Sequence, residues 1–85
     1  MAKEITLENI LNIINDNIEN TNITIDQLDD DLSQIGMNSI IFIQIIVSFE
    51  EEFECEFPDS KLLITEVNTV NKMFEVIKNI ETEND

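Results

Sequence analysis

The sequence predicts an all-α fold, a small antiparallel bundle of four helical segments with a long first connection and a short third segment. Three observations point there. Apolar residues recur at helical spacing in three separate stretches. A long polar stretch without helical period separates the first two. Phe57-Pro58 then closes the second stretch and leaves room for one short turn before the last. The helices are expected over roughly 7–19, 39–54, 61–66 and 69–80, within a single domain spanning residues 1–85.

In the first stretch Leu7, Ile10, Leu11, Ile14 and Ile18 fall on one stripe. Thr6 is the expected N-cap, with Ile5 stapled onto Ile10 across it. The other face carries Glu8, Asn12, Asn15, Asp16 and Glu19 and faces solvent. From Asn20 to Asn38 the period is lost. A connection of that length is normally functional, and Ile23, Ile25, Leu28, Leu32 and Ile35 are expected to pin it across the core. Its Asp29-Asp30-Asp31 cluster invites a calcium reading. That reading fails the EF-hand pattern, because Gln34 stands where glycine belongs and Ile40 where glutamate belongs. No metal site is expected.

The second helix starts at Ser39, three residues after Gly36, with Asn38 or Ser39 as its cap. Phe42, Ile45, Ile46, Phe49 and Phe53 gather in about one quadrant and form the core face. Ile40, Gln44, Val47 and Glu51 lie opposite. Apolar residues at Ile40 and Val47 exceed what a core of this size can use, so this face is read as a binding surface. Glu50, Glu51, Glu52, Glu54 and Glu56 crowd the helix end, where the macrodipole disfavours anions. That local cost suggests a docking patch for a basic partner. Asp59 or Ser60 is expected to cap a short turn through Lys61, Leu62, Leu63 and Ile64. The last helix, running from Asn68 or Thr69 to about Ile80, carries the stripe Val70, Met73, Phe74, Ile77 and Ile80, with the residues beyond it frayed. The methionines read as core filler.

Composition limits what the chain can do. Nineteen acids against four basic residues give a formal net charge of −15 over 85 residues. Nucleic acid and anionic membranes are excluded as partners, because phosphate contacts need Lys and Arg. Basic protein surfaces are favoured, and the field speeds their encounter. There is no His and no glycine-rich loop, so the chain is not expected to be an enzyme. A single cysteine, Cys55, permits no internal disulfide and fits a reducing compartment. Its neighbours Glu54 and Glu56 oppose thiolate formation, which makes it a packing residue. The start Met-Ala-Lys-Glu lacks an apolar leader segment, so a cytoplasmic monomer is expected.

Ser39 sits at a helix start beside backbone donors that favour an anion. Here Gly36-Met37-Asn38-Ser39-Ile40 resembles the Gly-x-Asp-Ser-Leu signature of acyl carrier and peptidyl carrier proteins. The helix about twenty residues upstream also resembles that family, as do the acidic Glu50–Glu54 run with Phe57-Pro58 and the Thr69-Val70 helix start. The likeness spans roughly residues 5–81.

The resemblance implies a four-helix bundle of acyl-carrier type. It implies 4′-phosphopantetheine attached covalently to Ser39 by a phosphopantetheinyl transferase, and cargo held as a thioester on the arm. Partners would be loading and condensing enzymes with basic or apolar docking surfaces, met through Asn38, Ile40, Ile41, Gln44, Val47, Glu50, Glu51 and Glu54. Asn38 stands where the family usually has Asp. It caps a helix about as well, but the lost charge would weaken docking of a basic transferase. Such variation leans towards a polyketide or non-ribosomal peptide pathway. A fatty-acid or D-alanyl carrier is the alternative, as is, in another class, an unmodified acidic helical interaction module.

Overall fold

A computed structural model describes residues 4–19, 21–58 and 63–83. Within them the chain forms three α-helices and no strand: α1 (Leu7–Asn17), α2 (Ser39–Phe53) and α3 (Val70–Glu83). Two single 3-10 turns, Ile25–Gln27 and Leu32–Gln34, punctuate the first connection. Both α2 and α3 pack against α1. No helix among the described residues is long and apolar enough to cross a membrane.

Thr6 caps α1 as its sequence position suggests, accepting the Asn9 N–H at 3.1 Å. The helix ends two residues earlier than expected. Ile18 turns to extended backbone (φ −108°, ψ 114°) and is buried at 2% exposure. The Asn17 amide donates back to the Ile13 carbonyl at 2.8 Å, satisfying an end that has no further turn. Ile13 is also buried, although the single stripe read from sequence passes it by. The reason is that α1 serves two neighbours, so its apolar face is wider than one row.

The long connection is ordered by hydrogen bonds as well as by its apolar residues. Asn15 uses its amide as a second backbone: Nδ2 donates to the Ile23 carbonyl at 3.0 Å, and Oδ1 accepts the Ile23 N–H at 2.7 Å. Ile23 is buried beneath this clamp. Further on, the Asn71 N–H donates to the Leu28 carbonyl and the Leu32 N–H to the Asn68 carbonyl, tying the connection to the start of α3. Leu32 is fully buried, and Leu28 and Ile35 pack against the core from half-buried positions. Ile25 corrects the sequence expectation: it is 66% exposed and pins nothing. Asn15→Ala leaves both backbone groups of a buried residue without their partner. It is expected to cost about 1–3 kcal/mol, read from denaturant unfolding. Asn15→Asp keeps the acceptor but loses the donor at neutral pH and should fall between the two.

The aspartate cluster works as local structure. Asp29 accepts from the Asn71 amide at 2.8 Å. Asp31 accepts from the Ser33 hydroxyl at 2.7 Å and its N–H at 3.0 Å. The Ser33 hydroxyl, followed by the Ser33 N–H, holds the Asp31 carboxyl below its ordinary range. A lowered folded-state pKa means this contact is fully present above the ordinary carboxylate value. It is lost as pH falls through the lowered one.

The core face of α2 is Phe42, Ile45, Ile46, Phe49 and Phe53, all buried, as the helical projection requires. Phe49 stacks near Phe53 and Phe57, with ring centroids 5.9 and 6.3 Å away. Pro58 does not end this helix. Glu54 does, in the left-handed conformation (φ 51°, ψ 53°), with the Glu50 carbonyl accepting from the N–H of both Glu54 and Cys55. A glutamate here pays the Cβ penalty that glycine avoids and adds an anion to the negative helix end. Glu54→Gly is therefore expected to stabilise the fold by about 0.5–1 kcal/mol, measured as a rise in Tm.

The third helical segment expected from sequence begins in residues outside those described. Its described part, from Leu63 to Val67, is a hydrogen-bonded turn in which the Leu63 carbonyl accepts from Glu66 and Val67. Thr69 then accepts the Lys72 N–H at 3.1 Å, the capping geometry for α3. Val70, Met73, Ile77 and Ile80 are buried, and Phe74 is half-buried with the Lys78 ammonium over its ring at 5.2 Å. The helix continues to Glu83, beyond the expected end at Ile80. Met37 and Met73 are both core residues.

Candidate functional site

The second 3-10 turn sets up the start of α2. Leu32, buried and tied to Asn68, accepts at its carbonyl from the N–H of both Ile35 and Met37. The chain thus folds tightly around one buried residue. Thr21 adds a bond from its hydroxyl to the Ile35 carbonyl at 3.2 Å. Gly36, the only glycine of the sequence, has φ +125°, a region closed to residues with a Cβ. An added Cβ would also lie 3.3 Å from Cγ2 of the buried Ile18. Glycine is needed here both for its backbone and for close approach to the end of α1.

Met37 next turns inward and is buried, which anchors the chain one residue before the cap. Asn38 resolves the open question of the cap. Its Oδ1 accepts the Ile41 N–H at 2.9 Å and its carbonyl accepts the Phe42 N–H at 2.8 Å. Ser39 is consequently the first helical residue, exposed, with a hydroxyl not committed to capping. With the Ile41 N–H taken by the Asn38 side chain, the N–H groups of Ser39 and Ile40 are the first-turn donors left without an intrahelical acceptor, and the hydroxyl stands beside them at the positive end of a fifteen-residue helix. Buried anchors on both sides, Met37 and Phe42, hold an exposed nucleophilic oxygen at a fixed point on the surface.

A family model described as the phosphopantetheine attachment site matches residues 8–77, which take in α1, the connection, α2 and the first half of α3. The chain belongs to that family. It is a phosphopantetheine-bearing carrier domain, and such a domain is where 4′-phosphopantetheine is covalently attached. No curated protein and no solved structure matches the chain.

Around the helix start of this carrier, the residues read from sequence as partner-binding divide in two. Asn38, Ile40, Gln44, Val47, Glu51 and Glu54 are exposed. Ile41 and Glu50 are half-buried. Glu50 has a structural task, accepting the Phe57 N–H at 3.0 Å and so folding the chain back after α2. Ile40 is the most exposed large hydrophobic among the described residues, at 71%. Ile43, 47% exposed, belongs to the same surface and was missed from sequence. The signal was available: it stands four residues after Ser39, one turn along the same face. Cys55 is half-buried with its Sγ 3.9 Å from the Phe49 carbonyl, in keeping with a packing role.

Proposed function

We propose that Ser39 is the attachment residue of this carrier and that the chain shuttles an acyl or aminoacyl group between partner enzymes without catalysing a reaction itself. The observation that carries the reading is the exposed Ser39 hydroxyl at the start of α2, left free because Asn38 makes the cap. The residues present fit the group. The unpaired first-turn donors and the helix dipole favour the anionic phosphodiester. When bound, 4′-phosphopantetheine supplies a thiol on which cargo rides as a thioester.

The chain's own contribution is attachment and presentation. Gly36 and Met37 hold the serine clear of the core, and the outer face of α2 offers Asn38, Ile40, Ile41, Gln44, Val47, Glu51 and Glu54 to a phosphopantetheinyl transferase and to loading and condensing enzymes. In this reading residues 1–85 act as one monomeric domain. The turn from Leu63 to Val67 belongs, in this reading, to the short third member of a four-helix bundle. The pathway is of polyketide or non-ribosomal peptide type, supported by Asn38 in place of the family's Asp. The setting is the cytoplasm, a reducing compartment that suits a chain with a single cysteine.

The test is intact mass after incubation with coenzyme A and a broad-specificity transferase. The expected result is the gain of one phosphopantetheine. A chain that remains at its original mass would refute the assignment.

A further inference from the structure

Leu32 to Met37 is a closed turn, because the Leu32 carbonyl accepts the N–H of both Ile35 and Met37. The turn leads straight into Asn38 and Ser39, so whatever orients it also orients the start of α2. Two tertiary hydrogen bonds tether it. On the α3 side the Leu32 N–H donates to the Asn68 carbonyl at 2.8 Å. On the α1 side the Thr21 hydroxyl donates to the Ile35 carbonyl at 3.2 Å. Thr21 is half-buried, three residues beyond the buried Ile18, and a Cβ on Gly36 would lie 3.9 Å from its Oγ1.

This second tether falls on a peptide unit that has another conformation open to it. Ile35 has ψ 0° and Gly36 has φ +125°. Turning the peptide between them by about 180° would bring ψ to about 180° and φ to about −55°, both sterically allowed. The Ile35 and Met37 N–H groups belong to the neighbouring peptide units, so their bonds to Leu32 do not oppose the turn. Thr21 does oppose it, by bonding the carbonyl where it now lies. The peptide is trans, so its N–H points to the side opposite that carbonyl, away from Thr21, at the exposed Gly36. The turned unit would set a carbonyl oxygen there instead. That is a partial negative charge three residues before a serine that must meet an anionic phosphate.

We infer that Thr21 is a positioning residue for the modification of Ser39, its hydroxyl holding the Ile35–Gly36 peptide, and with it the turn that carries Asn38 and Ser39, in one orientation. This rests on the reading of Ser39 as attachment residue. The action is indirect: Thr21 touches neither the serine nor the incoming arm, and works through the backbone of the turn.

The experiment measures kcat and KM separately for modification by a broad-specificity transferase with coenzyme A. Thr21→Val keeps the shape and removes the hydroxyl. With valine there, the Ile35 carbonyl faces a methyl group in the present orientation and water in the turned one. KM for the carrier should rise roughly fivefold, the population change that one ordinary hydrogen bond commands, with kcat within about twofold of wild type. Thr21→Ser restores the hydroxyl and should restore KM. Ile80→Val, a comparable loss of stability in the core of α3, should leave KM unchanged. Relaxation dispersion at the Gly36 amide should show exchange in Thr21→Val and none in wild type or Thr21→Ser. An unchanged KM in Thr21→Val overturns the inference, as does an equal rise in Ile80→Val or a Thr21→Ser that behaves like Thr21→Val. A Gly36 amide without exchange in Thr21→Val overturns it too. In each of these cases a wild-type chain that gains one phosphopantetheine leaves the carrier assignment intact. Failure of the wild-type chain to gain mass would remove both readings together.

Discussion

Ser39→Ala is expected to fold like the wild-type chain and to gain no mass from coenzyme A and a transferase. The first half follows from the division of labour at the helix start. The cap is made by Asn38, whose Oδ1 holds the Ile41 N–H, and the serine hydroxyl has no part in it. Ala at the first helical position is compatible with helix, so the change in stability should stay within about 0.5 kcal/mol. The second half follows from chemistry: transfer needs an oxygen nucleophile at this point on the surface, and Ala provides none. The effect is all or none and is read by intact mass, with a thermal melt to establish folding. Modification that persists in the variant would mean that another hydroxyl carries the arm. Asn38→Ala separates the two roles from the other side. It keeps the hydroxyl but removes the cap, and should cost about 1 kcal/mol in stability.

How much of this was legible beforehand differs from residue to residue. The inner face of α2 was legible in full, because five large apolar residues at helical spacing admit one orientation and the outer residues follow by geometry. The cap at Thr6 was legible because capping depends on local side-chain chemistry. The departures all involve information that the chain does not hold locally. Ile13 is buried because α1 has neighbours on two sides, which a single stripe does not reveal. Ile25 is exposed because an apolar residue in an aperiodic segment carries no direction. The Asn15 clamp joins residues eight apart in sequence through a side chain that copies the backbone, and an asparagine on a polar helix face gives no sign of it.

The end of α2 shows a different limit. The helix ends near Glu54 as expected, but Glu54 itself makes the exit, in a left-handed conformation to which a glutamate has no intrinsic claim, and not Pro58. The Phe57 side chain, buried at 6% exposure beside Phe49, explains this exit. Burying that ring needs the chain to reverse before the proline, and Glu50 secures the reversal by accepting the Phe57 N–H. Tertiary packing here overrides the local signal.

Two substitutions to Asp, two residues apart on α2, should have opposite outcomes. Val47 is 43% exposed and Phe49 is fully buried. Val47→Asp moves no side chain out of the core. It adds one like charge within a turn of Glu51, a penalty of a few tenths of a kcal/mol, and the total should remain below about 1 kcal/mol. Phe49→Asp removes the ring that packs between Phe53 and Phe57 and puts a carboxylate in its place. Loss of a buried Phe alone costs about 3–5 kcal/mol. The unpaired buried charge adds to that, against a total stability of about 5–15 kcal/mol typical of native domains. Phe49→Asp should therefore show no cooperative thermal transition, while Val47→Asp melts close to wild type. Ile40→Asp, on the same outer face at 71% exposure, should behave as Val47→Asp does. An unfolded Val47→Asp would mean that this face is covered in solution. If it folds, its modification rate reports directly on the surface beside Ser39: a carboxylate set into an otherwise uncharged seat should slow the transferase even where the helix beneath is unchanged.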